Sequence, residues 1–110
     1  MHTSLQAILA HSEDFVHEME SEGGLEQYSM YLDGLLEDVP RLENRVTAQR
    51  LQDALSFLQQ NYSLYERNPK LRDTIIIPAI QRFVEVVKEE AEEAAKRELF
   101  AFRNGEQTKG

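Results

Sequence analysis

The residues of this chain that are best suited to metal chemistry lie near its start: His11, Asp14, His17 and Glu18. Asp14 and His17 have the spacing with which one helix offers two ligands to a metal ion. At about 100° per residue, however, His11 and His17 fall on opposite flanks of the apolar stripe of that helix. The two imidazoles cannot converge, and no second pair of carboxylate and histidine exists. We therefore expect no metal ion and no other cofactor.

The usual local signatures of catalysis are absent from the sequence. The 110 residues contain no cysteine, no glycine-rich phosphate loop, no Gly-x-Ser-x-Gly motif and no His-Glu-x-x-His motif. A run of carboxylates points around most of a helix circumference, so we interpret it as a solvated face: Glu89, Glu90, Glu92 and Glu93. We expect a protein that is not an enzyme.

The acidic residues are concentrated in the first part of the chain. The formal net charge is −8, and residues 1–43 contribute ten carboxylates against Arg41 alone, whereas residues 44–110 sum to +1. Such a charge favours basic partners and repels phosphate. We predict a carboxylate surface that recruits a basic protein surface through four residues: Asp14, Glu18, Glu22 and Glu26. The alternative interpretation is that the charge only confers solubility.

Basic residues form a second candidate surface. Arg41 and Arg45 share one flank, and further cations surround the turn before the last helix: Arg67, Lys70, Arg72 and Arg82. A continuous surface of these residues could contact a nucleic-acid backbone, although no aromatic residues are interleaved for base stacking. The alternative is that they form salt bridges with the acidic half.

Apolar residues recur at intervals of three and four, which predicts four helices. The breaks between them are predicted at Gly23-Gly24, at Pro40 and at Asn68-Pro69. Thr3 is predicted as the N-cap of the first helix, with Gln6 completing a capping box. Gly34, inside the second helix, is expected to be a mild weakness.

Residues 74–78 are ambiguous, because three consecutive isoleucines before a proline also suit an extended strand. No second strand is predicted that could pair with this segment. We therefore prefer Thr74 as the N-cap of a last helix with Pro78 in its first turn. That helix is predicted to run to Asn104-Gly105, which gives a bundle domain of residues 1–104 and a disordered tail of residues 105–110.

The predicted helices share one core. Its centre is predicted at six residues: Leu51, Leu55, Leu58, Phe83, Val84 and Val87. Val46 belongs to the apolar stripe of the third helix. The tyrosines come in two pairs, Tyr28 with Tyr31 and Tyr62 with Tyr65, which we place at the edge of the core or, alternatively, on a partner surface.

The last helix is predicted to be longer than the others, so that its distal part, residues 88–102, projects beyond the bundle. Its apolar stripe thins there to alanine, which permits the close approach of another helix. Glu98 falls on this stripe and Phe100 on the opposite side. We predict that both residues contact a partner, either another protein or a second copy of the chain. The alternative for Glu98 is that this turn of the helix lies past the end of the bundle, in solvent.

Together these features predict an all-α fold, a single up-and-down four-helix bundle with a long C-terminal helix. No apolar run approaches the about 20 residues that span a bilayer, so we expect a cytoplasmic protein that binds no membrane. The expected function is that of a small intracellular adaptor or regulatory subunit that binds another protein. Two alternatives stay open: a small subunit of a nucleoprotein complex, and an acidic mimic of nucleic acid that inhibits a DNA- or RNA-binding protein.

Overall fold

The computed structural model describes residues 3–109, with side chains described as far as Leu99. Its elements are four α-helices: α1 (Leu5–Ser21), α2 (Leu25–Asp38), α3 (Arg45–Arg67) and α4 (Ile76–Lys109). Two short 3₁₀ turns, Val39–Arg41 and Pro69–Arg72, precede α3 and α4. The all-α fold predicted from the apolar periodicity is confirmed.

The four helices form one up-and-down bundle. Each helix packs against the helix that follows it, and α4 also packs against α1, which closes the ring. At one end of the bundle the N–H of Thr3 donates to the carbonyl oxygen of Arg41 (3.2 Å). At the other end Nε of Arg72 donates to the carbonyl oxygen of Gly23 (2.9 Å). These contacts place α1 and α3 in one direction and α2 and α4 in the other.

Helix capping determines where α1 and α3 begin. Ser4, not the predicted Thr3, is the N-cap of α1, and its hydroxyl accepts a hydrogen bond from the N–H of Ala7 (3.1 Å). The prediction of Thr3 is wrong because the backbone of Thr3 is held in an extended bridge with Leu42, so the next hydroxyl residue takes the capping position. Asn44 caps α3 in the same way.

Residues 74–78 fold into a turn and the start of α4 rather than into a strand. The N–H of Ile75 donates to the carbonyl oxygen of Leu71 (2.9 Å), so helical hydrogen bonding leads from the second 3₁₀ turn into α4. The helix begins at Ile76, two residues after the predicted N-cap Thr74. Pro78 lies in the first turn, where its missing amide hydrogen leaves no helical hydrogen bond unmade.

The core lies between all four helices, and its predicted centre is confirmed. Six predicted residues are buried: Leu51, Leu55, Leu58, Phe83, Val84 and Val87. The prediction for Val46 is wrong, since this side chain is 62% exposed. Thr47 and Ala48 take the core-facing positions at the start of α3, and at about 100° per residue the preceding position turns away from the core.

All four tyrosines pack within the bundle, but only Tyr31 and Tyr62 lie at the edge of the core as predicted, whereas Tyr28 and Tyr65 lie inside it. Tyr28 and Tyr65 are buried, and Tyr31 and Tyr62 are half-buried. The Phe15 ring joins α1 to this cluster, with its centroid 5.5 Å from that of Tyr28 and 5.4 Å from that of Tyr31. Aromatic packing therefore connects α1, α2 and α3.

Tyr28 also connects α2 to α3 through its hydroxyl. The hydroxyl donates a hydrogen bond to the main-chain carbonyl oxygen of Leu58. Burial raises the pKa of Tyr28, because the phenolate would lose its solvation. The phenol thus stays neutral and keeps this hydrogen bond over the ordinary pH range.

The last helix is longer than the bundle. With 34 residues against the 23 of α3, its length is about 51 Å against about 34 Å. Among the α4 side chains as far as Leu99, the last buried one is that of Glu90; Ala91 and Ala94 are half-buried, and the others beyond Glu90 are exposed. We call residues 91–109 the α4 extension. Its predicted projection is confirmed as far as Leu99.

The helix ends later than predicted, since α4 continues through Asn104 and Gly105 to Lys109. A glycine inside a helix costs about 1 kcal/mol relative to alanine, which weakens the helix without terminating it. The disorder predicted for residues 105–110 stays a prediction. The side chain of Phe100 lies outside the described residues.

Candidate functional site

The two histidines of α1 face different neighbouring helices. His11 is half-buried against α2, and its Nε2 donates to the carbonyl oxygen of Tyr31 (3.1 Å). His17 is exposed beside α4. The part of the chain that the structure describes contains no group of three or more histidine, aspartate or glutamate side chains that could hold a metal ion.

Gly34 is the point of close approach between α1 and α2. A Cβ atom at this position would lie 2.9 Å from Cε1 and 3.0 Å from Nε2 of His11. The imidazole therefore occupies the space that any other residue would need for its side chain. The glycine was expected to be a mild weakness in the helix, and the structure shows its packing role.

The four carboxylates predicted to bind a partner are all exposed: Asp14, Glu18, Glu22 and Glu26. None of them forms an ion pair with a described residue. Helical rotation places Asp14 and Glu18 on the side of α1 that adjoins α2, whereas Glu26 lies on the outer side of α2, away from α1. The four residues therefore share one acidic half of the bundle but do not form one compact patch.

The outer side of α2 combines carboxylates with an exposed methionine. Four residues follow one another at intervals of four, three and four: Glu26, Met30, Asp33 and Glu37. We call them the α2 stripe, which is about 16 Å long. Met30 is 62% exposed within it, and Glu37 pairs with Arg41 (3.1 Å) at its end. The sequence interpretation missed Met30, although the residue lies off the apolar stripe of α2 and follows the carboxylates at helical spacing.

The six predicted basic contacts do not form one continuous surface. Arg41 lies in the 3₁₀ turn before α3 and Arg45 is the first residue of α3, whereas Arg67 lies at its end with Lys70 and Arg72 just beyond. Arg45 and Arg67 are 22 residues apart, which is about 33 Å along the helix. Arg82 is exposed on α4 in the groove that faces α1.

Two of these cations, Arg45 and Arg72, form hydrogen bonds to main-chain carbonyl oxygens at opposite ends of the bundle. Arg45 donates to two carbonyl oxygens just before α3 (3.0 and 3.1 Å). Arg72 donates to the carbonyl oxygens of Gly23 (2.9 Å) and Met19, which places a cation at the C-terminal end of α1. A positive charge there complements the helix dipole and the unpaired carbonyl groups. Both guanidinium groups therefore have a structural role.

A groove of about 630 Å³ runs between α1 and α4. Exposed side chains of both charges line it: Glu13, His17, Glu20, Arg82, Glu85 and Lys88. Because the carboxylates of α1 lie opposite two cations and one carboxylate of α4, the groove favours neither an anionic nor a cationic ligand. We assign no chemistry to it.

One carboxylate of the acidic run is buried, contrary to the solvated face expected for all of them. Glu90 is 6% exposed, and its Oε2 accepts a hydrogen bond from Arg50 of α3 (3.0 Å). Its Oε1 is buried and has no hydrogen-bond partner. Glu90 follows Phe83 and Val87 at helical spacing, so it continues the buried stripe of α4 at the level where the helix leaves the bundle.

The outer side of α3 carries a row of exposed apolar residues. Their exposed fractions are 62% for Val46, 55% for Phe57 and 42% for Leu64. They belong to one stripe with alternating intervals of four and three, which also contains Arg50, Asp53 and Gln60. Phe57 and Leu64 escaped the sequence interpretation, because they lie off the core stripe that the periodicity defines.

Helix α4 extends this apolar surface. The contact between Arg50 and Glu90 fixes the level of the two antiparallel helices, and at about 1.5 Å per residue it places Leu64 level with Ile75. Ile75 is 37% exposed, and Val86, one turn before Glu90, is half-buried. We define the α3–α4 face by its five apolar residues: Val46, Phe57, Leu64, Ile75 and Val86.

The two residues of the last helix that are predicted to contact a partner are Glu98 and Phe100. Glu98 is exposed on the α4 extension and forms no ion pair with a described residue. Phe100 lies outside the residues whose side chains are described. In the described part of the chain, no helix combines the length and apolar content that crossing a membrane requires.

These surfaces belong to an all-α four-helix bundle with exposed, chemically distinct sides and a last helix that is longer than the bundle. No family model matches the chain, and no curated protein or solved structure is significantly similar to it.

Proposed function

We propose that this protein is a small helical adaptor or regulatory subunit that recruits a basic protein surface through α1 and α2. The observation that carries the proposal is the α2 stripe, in which Met30 is 62% exposed among carboxylates. A flexible thioether packs well against apolar side chains, and flanking carboxylates pair with Lys and Arg. The partner segment that fits this combination is a basic amphipathic helix.

The charge distribution supports a cationic partner. Helices α1 and α2 carry eight acidic residues and no Lys or Arg. Concentrated like charge repels itself, and a cationic partner relieves that repulsion while the field accelerates encounter. Asp14 and Glu18 widen the acidic field beyond the α2 stripe. Association should therefore be fast at low ionic strength and should weaken as salt screens charges beyond about 8 to 10 Å.

The two alternative functions have less support. A nucleoprotein subunit needs continuous cations, whereas Arg45 and Arg67 are separated by about 33 Å and Arg45 is bonded to main-chain carbonyls. An acidic mimic of nucleic acid uses the same carboxylates as the proposed function. It differs in its partner, which would be a nucleic-acid-binding protein that DNA or RNA displaces.

The test uses two synthetic helical peptides with the same apolar side, one flanked by Lys and Arg and the other by Glu. Each is titrated into the isotope-labelled protein, and amide chemical shifts are followed by NMR. We expect the basic peptide alone to shift residues of the α2 stripe, with an affinity that falls as salt rises. Charge reversal at Glu26 and Asp33 should weaken this binding at least tenfold, and Met30→Ser should weaken it at constant charge.

The matched control reverses two exposed carboxylates on the other side of the molecule, Glu89 and Glu92, which leaves the net charge equal to that of the first variant. Equal losses in the two variants, or binding that is indifferent to salt, would leave the acidic half as a solubilising surface. Affinity capture from the native host, followed by mass spectrometry with the same variants, identifies the natural partner. Displacement of that partner by DNA or RNA would favour the mimic.

A further inference from the structure

Most of the side chains that the structure describes on the α4 extension have no packing partner within their own chain. All of its side chains as far as Leu99 are exposed, apart from the half-buried Ala91 and Ala94, and Leu99 itself is 55% exposed. In proteins most of the stability of a helix comes from packing one side of it against another element. A second surface from outside the chain would supply that packing for the extension.

The α3–α4 face has the dimensions of that missing surface. Its stripe from Val46 to Leu64 spans 18 residues, about 27 Å, and the extension from residue 91 to residue 109 spans the same length. Val46 lies at the end of the bundle where α4 leaves it, since the contact between Arg50 and Glu90 is one turn away. The α4 extension of a second molecule that approaches from beyond this end could lie along the stripe from Val46 to Leu64.

We propose that two copies of this chain form a symmetric dimer in which the α4 extension of each copy lies along the α3–α4 face of the other. A two-fold axis perpendicular to α4, close to residue 91, makes the two α4 helices antiparallel. Each extension then returns along the bundle of its partner. The contact is isologous and closes on itself, which limits the assembly to two chains.

Charge favours a second copy at these surfaces. The extension carries four acidic and four basic residues, and α3 carries three basic and two acidic residues, so their net charges are zero and +1. The rest of the chain sums to −9, of which α1 and α2 contribute −8. Two acidic molecules can therefore approach through the α3–α4 face and the extension, whereas contact through α1 and α2 would be repelled.

The area of the contact is sufficient for a stable dimer. A helix about 10 Å across and 28 Å long that buries half of its circumference covers roughly 440 Å². Each copy takes part twice, once with its extension and once with its α3–α4 face, which gives about 900 Å² per copy. Stable interfaces of standard size bury about 800 Å² per partner.

The first experiment measures molar mass by size-exclusion chromatography with light scattering, over a range of concentrations of the full-length protein. We expect the wild-type chain to approach twice 12.7 kDa. Phe57→Glu and Leu99→Glu should each raise the dimer dissociation constant by about ten- to a hundredfold. Both positions are more than half exposed, so the variants should keep the helical circular dichroism of the wild type.

Met30→Glu is the matched control, since Met30 is similarly exposed but lies on α2. It should leave the dimer unchanged, and so should Met30→Ser, the variant that weakens binding of the basic peptide in the test of the proposed function. The two proposals can thus fail independently. A wild-type protein that stays monomeric at every concentration would overturn the dimer and leave the α3–α4 face for a different protein. A dimer sensitive to Phe57→Glu but not to Leu99→Glu would exclude the extension as its occupant.

A second experiment identifies the element that lies on the face, using the absence of cysteine from the chain. Leu64→Cys in one sample is mixed with Gln107→Cys in another, and disulfide formation is followed under mild oxidation. The levels along the two helices predict a disulfide between the two different variants. Met30→Cys mixed with Gln107→Cys should form no more than the background, and equal yields from the two mixtures would overturn the arrangement.

Discussion

Gly34→Ala tests the close approach of α1 and α2, because its effect should reverse with the residue at position 11. In the wild-type background the new methyl group would lie 2.9 Å from Cε1 of His11, so the imidazole must move. That movement breaks its hydrogen bond to the carbonyl oxygen of Tyr31 (3.1 Å) and its ring contact with Tyr31, at a centroid distance of 5.2 Å. In a His11→Ala background there is nothing left to displace.

The magnitudes follow from these contacts. Alanine stabilises a helix interior by about 1 kcal/mol relative to glycine. Against this, the lost hydrogen bond costs about 0.5 to 1.5 kcal/mol, and the lost ring pair costs a similar amount. Gly34→Ala should therefore lower the free energy of unfolding by about 0 to 2 kcal/mol in the wild type, but raise it by about 1 kcal/mol when His11 is alanine. The coupling energy between the two sites is then about 1 to 3 kcal/mol.

Urea denaturation of the wild type, the two single variants and the double variant measures this coupling as a double-mutant cycle. Circular dichroism follows the transition, and equal slopes of free energy against urea check that the four unfolding reactions are comparable. Additive effects within about 0.5 kcal/mol would refute the reasoning, since independent sites behave in that way. The result would mean that the imidazole moves aside at no cost.

Leu55→Ala should lower the free energy of unfolding by about 2 to 5 kcal/mol in urea denaturation, and a change below about 0.5 kcal/mol would place Leu55 outside the core. Tyr28→Phe should cost about 0.5 to 1.5 kcal/mol near neutral pH through the lost hydrogen bond to Leu58. Burial raises the pKa of Tyr28 in the folded state, so its contribution is complete below about pH 10 and is lost as pH rises through the folded pKa. Thermal melts should therefore show a smaller alkaline loss in the variant. Arg50→Met should destabilise the fold by about 1 to 3 kcal/mol by leaving Glu90 buried without its cation, and Glu90→Leu in the same chain should recover this loss.

The bundle could be predicted from the sequence because one interaction dominates it. Apolar side chains that are buried on one side of a helix recur at intervals of three and four. The six core residues from Leu51 to Val87 can therefore be predicted from spacing alone. Errors arose where a local hydrogen bond competed with the pattern. Thr3 lost the capping position to Ser4 because its own backbone was already paired, which no periodicity reveals.

Side chains off the core stripe could not be placed in the same way. The apolar pattern predicts Val46 in the core and makes no prediction for Phe57. Both side chains lie on the same outer side of α3. Glu90 shows the converse case, since a charged residue occupies a buried position that only Arg50, from another helix, makes tolerable. Whether Val46, Phe57 and Glu90 are exposed or buried depends on which helices are neighbours. The packing of the bundle determines this, and the spacing of residues within one helix does not reveal it.

The placement of the two proposed surfaces has a consequence for how the protein would act. The α2 stripe and the α3–α4 face use different sides of the bundle, so a dimer formed through the α4 extensions leaves both acidic sides open. Such a dimer would offer two sites for basic helical segments, one per chain. A partner with two such segments would then bind with an affinity raised by effective concentration rather than by new contacts. Phe57→Glu should abolish that enhancement while leaving the affinity for a single basic peptide unchanged, which isothermal titration with one-segment and two-segment peptides would measure.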